Sequence, residues 1–198
     1  GGGSLAGMVF LFLLLLAGGG WAWHRHFSRA HSLQPAGASH TLRLAALLAG
    51  GVLLRVVLSL VFYRHKTGLA CFLSWSYHLH DLGVANFYTA GFFADYMPGY
   101  MWVLRLMGGL ADVLGIPYGS AVHALYIKLP AILADAGLAY LAYKLALRHG
   151  WSPRRSLAAA AVIALNPILA FLTGGWGQVD SVLVLALLAP FYFFRAKK

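Results

Sequence analysis

Five carboxylates, all of them aspartates, stand against fifteen lysines and arginines in this chain, and Cys71 is its single cysteine. A carboxylate beside a hydroxyl can take its proton, and the candidates for such work are Asp95 and Asp180, with Asp81 after them. Lys128 and Asp135 are seven residues apart and share one helix face. An ammonium there could hold a phosphate as a point charge; the same two residues also suit a structural role, bonding to neighbouring helices. The run Thr173-Gly174-Gly175-Trp176-Gly177-Gln178-Val179-Asp180 offers an indole to stack on a sugar ring, and the Gln178 amide and Asp180 carboxylate to bond hydroxyls. Its glycines allow backbone to approach a ligand. A tight turn between two helices accounts for the same residues. His78-Leu79-His80-Asp81 holds metal-ligating side-chain types, but residues i and i+2 of a helix point in different directions, so no metal site is expected there.

The elements that must position these groups follow from composition. Of 198 residues, 61% are hydrophobic and 10% charged, and mean hydropathy is +0.74. Soluble domains are about 45–50% apolar and about 25% charged, so too little polar surface remains to coat a water-soluble globule. A soluble enzyme, a disordered chain and a disulfide scaffold are all excluded. The net charge of +10 is that of basic loops holding helices in a lipid bilayer. It forms no stripe with interleaved aromatics, so nucleic acid is not an expected partner.

The expectation is an all-α integral membrane protein. Residues 1–7 read as a linker remnant before Met8, and 8–198 as a single transmembrane domain. An apolar run at 8–23 predicts a helix near 6–22, and 44–63 is long enough to cross about 30 Å of hydrocarbon. Further apolar stretches lie at 98–114, 129–147, 157–172 and 182–194. Basic clusters decide which of them cross: Arg25/Arg29/Arg43, Arg148/Arg154/Arg155 and Arg195/Lys197/Lys198 all fall on the cytoplasmic side only if 98–114 does not span. That segment carries Arg105 and Asp112 on one face, with Gly108 and Gly109 between them, which suits a helix lying along the interface. The predicted topology places the N-terminus outside and the C-terminus inside. About five spans are expected, near 6–22, 43–63, 120–147, 156–173 and 180–195, with a kink at Asn166-Pro167. A long external loop covers about 64–119. Arg55, inside the second span, either snorkels to the interface or pairs with Asp135.

The external loop is rich in aromatics: Phe72, Trp75, Tyr77, Phe87, Tyr88, Phe92, Phe93, Tyr96, Tyr100 and Trp102. Phe72, Trp75, Leu79 and Leu82 make one helical stripe, opposite Ser74, Tyr77, His78 and Asp81. This predicts a juxtamembrane helix whose apolar stripe dips into the interface, with a second interfacial helix starting at Pro98. An aromatic belt and a surface that packs on sugars or a prenyl chain both fit the enrichment.

Three blocks carry a family resemblance. They are Cys71-Phe72-Leu73-Ser74-Trp75 with Gly83, Phe87 and Tyr88; Ala94-Asp95-Tyr96-Met97-Pro98-Gly99-Tyr100; and Asn166-Pro167 followed by Gly175-Trp176-Gly177-Gln178-Val179-Asp180-Ser181. In order and spacing, over about 43–195, the pattern resembles the GT-C glycosyltransferases, polytopic enzymes that use polyprenyl-phosphate sugars. The second block is similar to the Asp-Tyr-Pro-Pro block of the glucosyltransferases that elongate lipid-linked N-glycans. The resemblance implies transfer of a hexose such as mannose or glucose from a polyprenyl-phosphate donor to a hydroxyl of an acceptor glycan, lipid or protein. It implies an extracytoplasmic site in a plasma, inner or ER membrane. An acidic residue early in the first external loop would be the general base, and by register from Trp75 it falls at position 68, where this chain has Gly68. Asp95 is then the surviving carboxylate, and Asp180 assists directly or through a divalent cation (Mg²⁺ or Mn²⁺). Lys128 with Arg105 would lie near the phosphate, and Trp75, Tyr96, Trp176 and Gln178 would line the sugar site, with His78 and Asp81 behind them. Relatives of this type continue with further membrane helices, so the resemblance also implies a missing C-terminal half or an oligomer. The alternative reading is a non-catalytic membrane module that binds lipid-linked sugar or scaffolds a partner subunit.

Overall fold

The computed structural model describes residues 38–63, 68–89, 91–96 and 98–194. The linker remnant expected at 1–7, the helix expected near 6–22 and the basic residues Arg25, Arg29, Arg195, Lys197 and Lys198 lie outside the described residues. No strand occurs among the described residues. The helices are α1 (Ala38–Val61), α2 (Gly68–Leu82), α3 (Pro98–Val113), α4 (Ala121–Arg148), α5 (Pro153–Ala164), α6 (Pro167–Ala170) and α7 (Asp180–Phe194), with a π-helical segment at Phe171–Trp176. Contacts divide the chain into two units, one comprising Phe72–Pro117 and the other Ala36–Cys71 with Tyr118–Lys198.

Two helices are long and apolar enough to cross a membrane, Ser39–Val61 and Ala121–Arg148. Pro153–Ala164 with Pro167–Trp176 makes a third candidate if that pair, bent by 43°, is one span. Leu53, Val57 and Val61 on α1, Leu133 on α4 and Leu183, Leu187 and Phe191 on α7 all face outward. Exposed apolar surface of this extent is compatible with a hydrocarbon surrounding. An all-helical chain with two such helices is compatible with an all-α membrane protein.

Local sequence explains where the helices of the larger unit begin and break. The Ser120 hydroxyl accepts from His123 N–H at 3.0 Å and caps α4. Ser152 caps α5, and Pro153, whose missing N–H is no loss in a first turn, follows it. At Asn166-Pro167 the sequence predicts a kink, and the structure shows a complete break. Proline disfavours helical geometry in the residue before it, and Asn166 is extended (φ −61°, ψ 119°) with its side chain accepting from Ile168 and Leu169 N–H. The chain restarts as α6, widens into the π segment and ends at Gly177, whose φ of +91° favours glycine.

Small residues let these helices approach closely. A Cβ on Gly51 would lie 2.9 Å from the Ala164 carbonyl oxygen, and one on Gly137 would lie 2.9 Å from a Leu185 methyl. Leu44, Ala139, Tyr143, Ala160 and Ala164 form one buried cluster among α1, α4 and α5.

In the smaller unit, α2 and α3 cross where Gly108 meets Ser76; a Cβ there would overlap the Ser76 carbonyl oxygen. The pair Gly108 and Gly109, expected on an interfacial face, is buried. The apolar stripe of α2 is also corrected. Phe72, Trp75 and Leu79 are buried, and only Leu82 of that stripe is exposed. Phe72 packs edge-on against Tyr96 and Tyr100, and Trp75 against Phe87. The stripe is covered by protein, because the loop after α2 returns its own aromatics over it.

Candidate functional site

The larger unit is organised by ionic groups buried among apolar helices. Arg55, 1% exposed, donates through Nε to Asp135 Oδ2 at 2.6 Å. Its Nη1 reaches the carbonyls of Gly51 (3.0 Å) and Ala164 (2.7 Å), and its Nη2 that of Ile163 (3.3 Å). Asp135 also accepts from the Thr173 hydroxyl, which lies 2.6 Å from the Leu169 carbonyl oxygen. Of the two expectations for Arg55, pairing with Asp135 is the one observed. A buried charge must be paired and hydrogen-bonded to be tolerated, and this one ties α1, α4, α5 and the π segment together. Thr173 is a member that sequence reasoning did not single out; its only signal was position, next to the glycine pair.

Lys128, one helix face along from Asp135, is likewise 1% exposed. Its Nζ donates to the carbonyls of Gly174 (2.8 Å) and Gly175 (2.9 Å). Two of three ammonium donors therefore hold the π segment. The glycines of this stretch have a packing role in place of the expected approach to a ligand. A Cβ on Gly174 would meet the Arg55 carbonyl oxygen at 2.7 Å, and one on Gly175 the Phe171 ring at 2.7 Å.

Around Lys128, segments distant in sequence meet. A Cβ on Gly177 would lie 3.1 Å from Lys128 Cε and 3.6 Å from Leu69 Cδ1. Next to Leu69, a Cβ on Gly68 would meet Trp176 Nε1 at 4.0 Å and no other side chain among the described residues within that distance. Trp176 is 37% exposed, Gln178 is half-buried, and Asp180 is exposed in the first turn of α7. The start of α2, the middle of α4 and the end of the π segment thus form one constellation: position 68 faces the Trp176 indole nitrogen, and the neighbouring Gly177 packs on the Lys128 stem and Leu69.

The other predicted site residues lie in the smaller unit. Trp75 is buried and donates its indole N–H to the Phe93 carbonyl at 2.9 Å, so the ring expected to line a sugar site is core. Tyr96 is half-buried between Phe72 and Trp75, and its carbonyl accepts from the Tyr88 hydroxyl. Asp95 and Asp81 are exposed. His78 stacks on Phe92 with ring centroids 3.8 Å apart. Arg105 lies over the Trp102 ring and beside the Gly83 turn. Asp112 stands 3.6 Å from His80. Burial pushes the Tyr100 phenol well above its ordinary value, with Tyr96 adding to the shift. Among the described residues no three His, Cys, Asp or Glu side chains converge as a metal site would require.

No protein-family model, no curated protein and no solved structure matches this chain.

Proposed function

We propose that this chain is the membrane-embedded module of a GT-C-type glycosyltransferase. It has five spans, the N-terminus outside and the C-terminus inside, and it takes a polyprenyl-phosphate hexose on the extracytoplasmic side of its membrane for transfer to an acceptor hydroxyl. One observation carries the reading. Position 68, Lys128 and the Trp176–Gly177 turn, drawn from three separated parts of the chain, meet in one constellation. In that constellation the Trp176 indole offers a face to a sugar ring, the Gln178 amide offers hydrogen bonds to hydroxyls, and the Lys128 charge adds positive potential beside a phosphate. Lipid phosphate is already a good leaving group, so such an enzyme works by positioning its substrates and removing a proton.

The missing element is the base. Among the described residues a Cβ at position 68 would meet the Trp176 indole nitrogen at 4.0 Å, an ordinary contact distance, so Gly68→Asp introduces a carboxylate next to that indole. A positioned general base is worth about 10²–10⁴-fold. Transfer from a radiolabelled polyprenyl-phosphate mannose or glucose should rise by about that factor in Gly68→Asp. Asp95→Ala, assayed alongside, reads the surviving carboxylate. No gain in the first variant together with unchanged transfer in the second would remove the enzymatic assignment.

Two observations favour a second reading, a module that binds lipid-linked sugar without turning it over. Gly68 has no proton acceptor, and the buried charges Arg55, Asp135 and Lys128 are all engaged with protein groups. Binding of polyprenyl phosphate by the unmodified chain, with no transfer in either the unmodified chain or Gly68→Asp, selects this reading.

A further inference from the structure

Away from that constellation, the C-terminal ends of α4 and α7 leave a groove of about 390 Å³ lined by Leu145, Arg148, His149, Leu188, Phe191 and Tyr192. Small-ligand pockets span about 300–1,000 Å³, so it has the capacity for a chain or headgroup and not for a helix. Its lining has two parts. Leu145, Leu188 and Phe191 form an apolar floor, and Leu188 and Phe191 are exposed there at 45% and 67%. Arg148 and the exposed His149 form a cationic rim. The guanidinium is fixed in place: Nη1 donates to the Tyr192 carbonyl at 3.1 Å, and the group lies 5.6 Å from the Tyr192 ring centroid.

The charge around this rim has one sign. Lys144 precedes Arg148 by one turn, and Arg154 and Arg155 follow, exposed, in the first turn of α5. No acidic residue occurs between Asp135 and Asp180. A ligand that matches must be anionic at one end and aliphatic along its length. Basic pockets between membrane helices select lipids of that kind.

We infer that the α4–α7 groove is a binding site for an anionic diacyl phospholipid, one acyl chain lying on Leu145, Leu188 and Phe191 and the phosphate at Arg148 and His149. The inference rests on the chain being embedded in a bilayer, as proposed above. It is independent of the transfer chemistry.

The test is retention of lipid by the purified full chain. The protein is reconstituted in equal mixtures of phosphatidylglycerol and phosphatidylcholine, extracted in mild detergent and examined by native mass spectrometry. The unmodified chain should keep phosphatidylglycerol several-fold in excess over phosphatidylcholine. Loss of one basic contact should lower that excess roughly fivefold in Arg148→Gln. Leu188→Trp, which fills the groove from an exposed position and leaves the cations untouched, should abolish it. Inorganic phosphate should not displace the lipid. Equal retention of the two lipids, an undiminished excess in Leu188→Trp, or displacement by phosphate alone overturns the assignment. Because Arg148 also holds the end of α7, Leu188→Trp decides the matter if Arg148→Gln does not fold. Failure here leaves the Gly68→Asp result untouched, since no sugar transfer is read.

Discussion

Asp135→Asn is the most informative single perturbation of the larger unit. The substitution keeps shape and one acceptor oxygen but removes the negative charge that faces Arg55. The arginine is 1% exposed, and its other partners are the neutral carbonyls of Gly51, Ala164 and Ile163. Breaking a buried pair by neutralising one member costs about 3–5 kcal/mol, because the other charge stays buried without compensation. In a chain of this size 1 kcal/mol moves Tm by about 2–4 °C, so the variant should melt roughly 6–20 °C below the unmodified protein, followed by helical circular dichroism in detergent. The double variant Arg55→Leu/Asp135→Leu removes both charges and should recover a large part of that loss, since well-packed apolar replacements of buried pairs are often neutral or better. The reasoning is refuted if Asp135→Asn melts within about 2 °C of the parent, or if the double variant is the less stable of the two. The first result would mean that Arg55 carries no uncompensated charge. The second would mean that its hydrogen bonds to α1 and α5 matter more than the ion pair.

Two further outcomes follow from the close approaches of the same unit. Gly174→Ala, whose Cβ would meet the Arg55 carbonyl oxygen at 2.7 Å, should cost about 1–3 kcal/mol by overpacking, whereas Gly50→Ala, with nothing within 4 Å on the same α1 helix, should gain about 0.5–1 kcal/mol; detergent melts of the pair check this. Lys128→Met keeps the apolar stem but leaves the Gly174 and Gly175 carbonyls without their donor; it should cost about 1–3 kcal/mol and expose the π segment to faster amide hydrogen exchange at residues 171–177.

What the sequence made legible was local. Hydrophobic length marked α1 and α4, Asn166-Pro167 marked a disruption that the structure shows as a full break, and Pro98 marked the start of α3, because proline acts through the two or three residues beside it. The partner of each buried group was not legible. Arg55 and Asp135 are eighty residues apart, and periodicity states that each lies on a face without stating which helix that face meets. For the same reason the α2 stripe was recognisable as apolar while its cover was not: lipid and the aromatics of the following loop satisfy the same pattern. Gly174 shows the limit most clearly. A glycine is required wherever backbone comes close, and only the packing of α1 against the π segment shows that what comes close is another helix.

The three buried ionic residues have a common consequence for the site. A buried pair adds little net stability over an apolar replacement, so Arg55, Asp135 and Lys128 are best understood by what they forbid. The guanidinium is satisfied only when the Asp135 carboxylate and the end of α5 face it together, and Lys128 only when the Gly174 and Gly175 carbonyls point at α4. A rotation of α1 or α4 by one residue would leave a buried charge without its partners at a cost of several kcal/mol. One packing therefore survives. In that packing Gly177 abuts both Lys128 and Leu69, which sets the first turn of α2 against the end of the π segment and leaves position 68 opposite Trp176. The charges are thus positioning groups, and Lys128 also borders the place they define. A carboxylate at position 68 would face the Trp176 indole nitrogen, which is why restoring one there tests the proposed chemistry more directly than removing any charge now present.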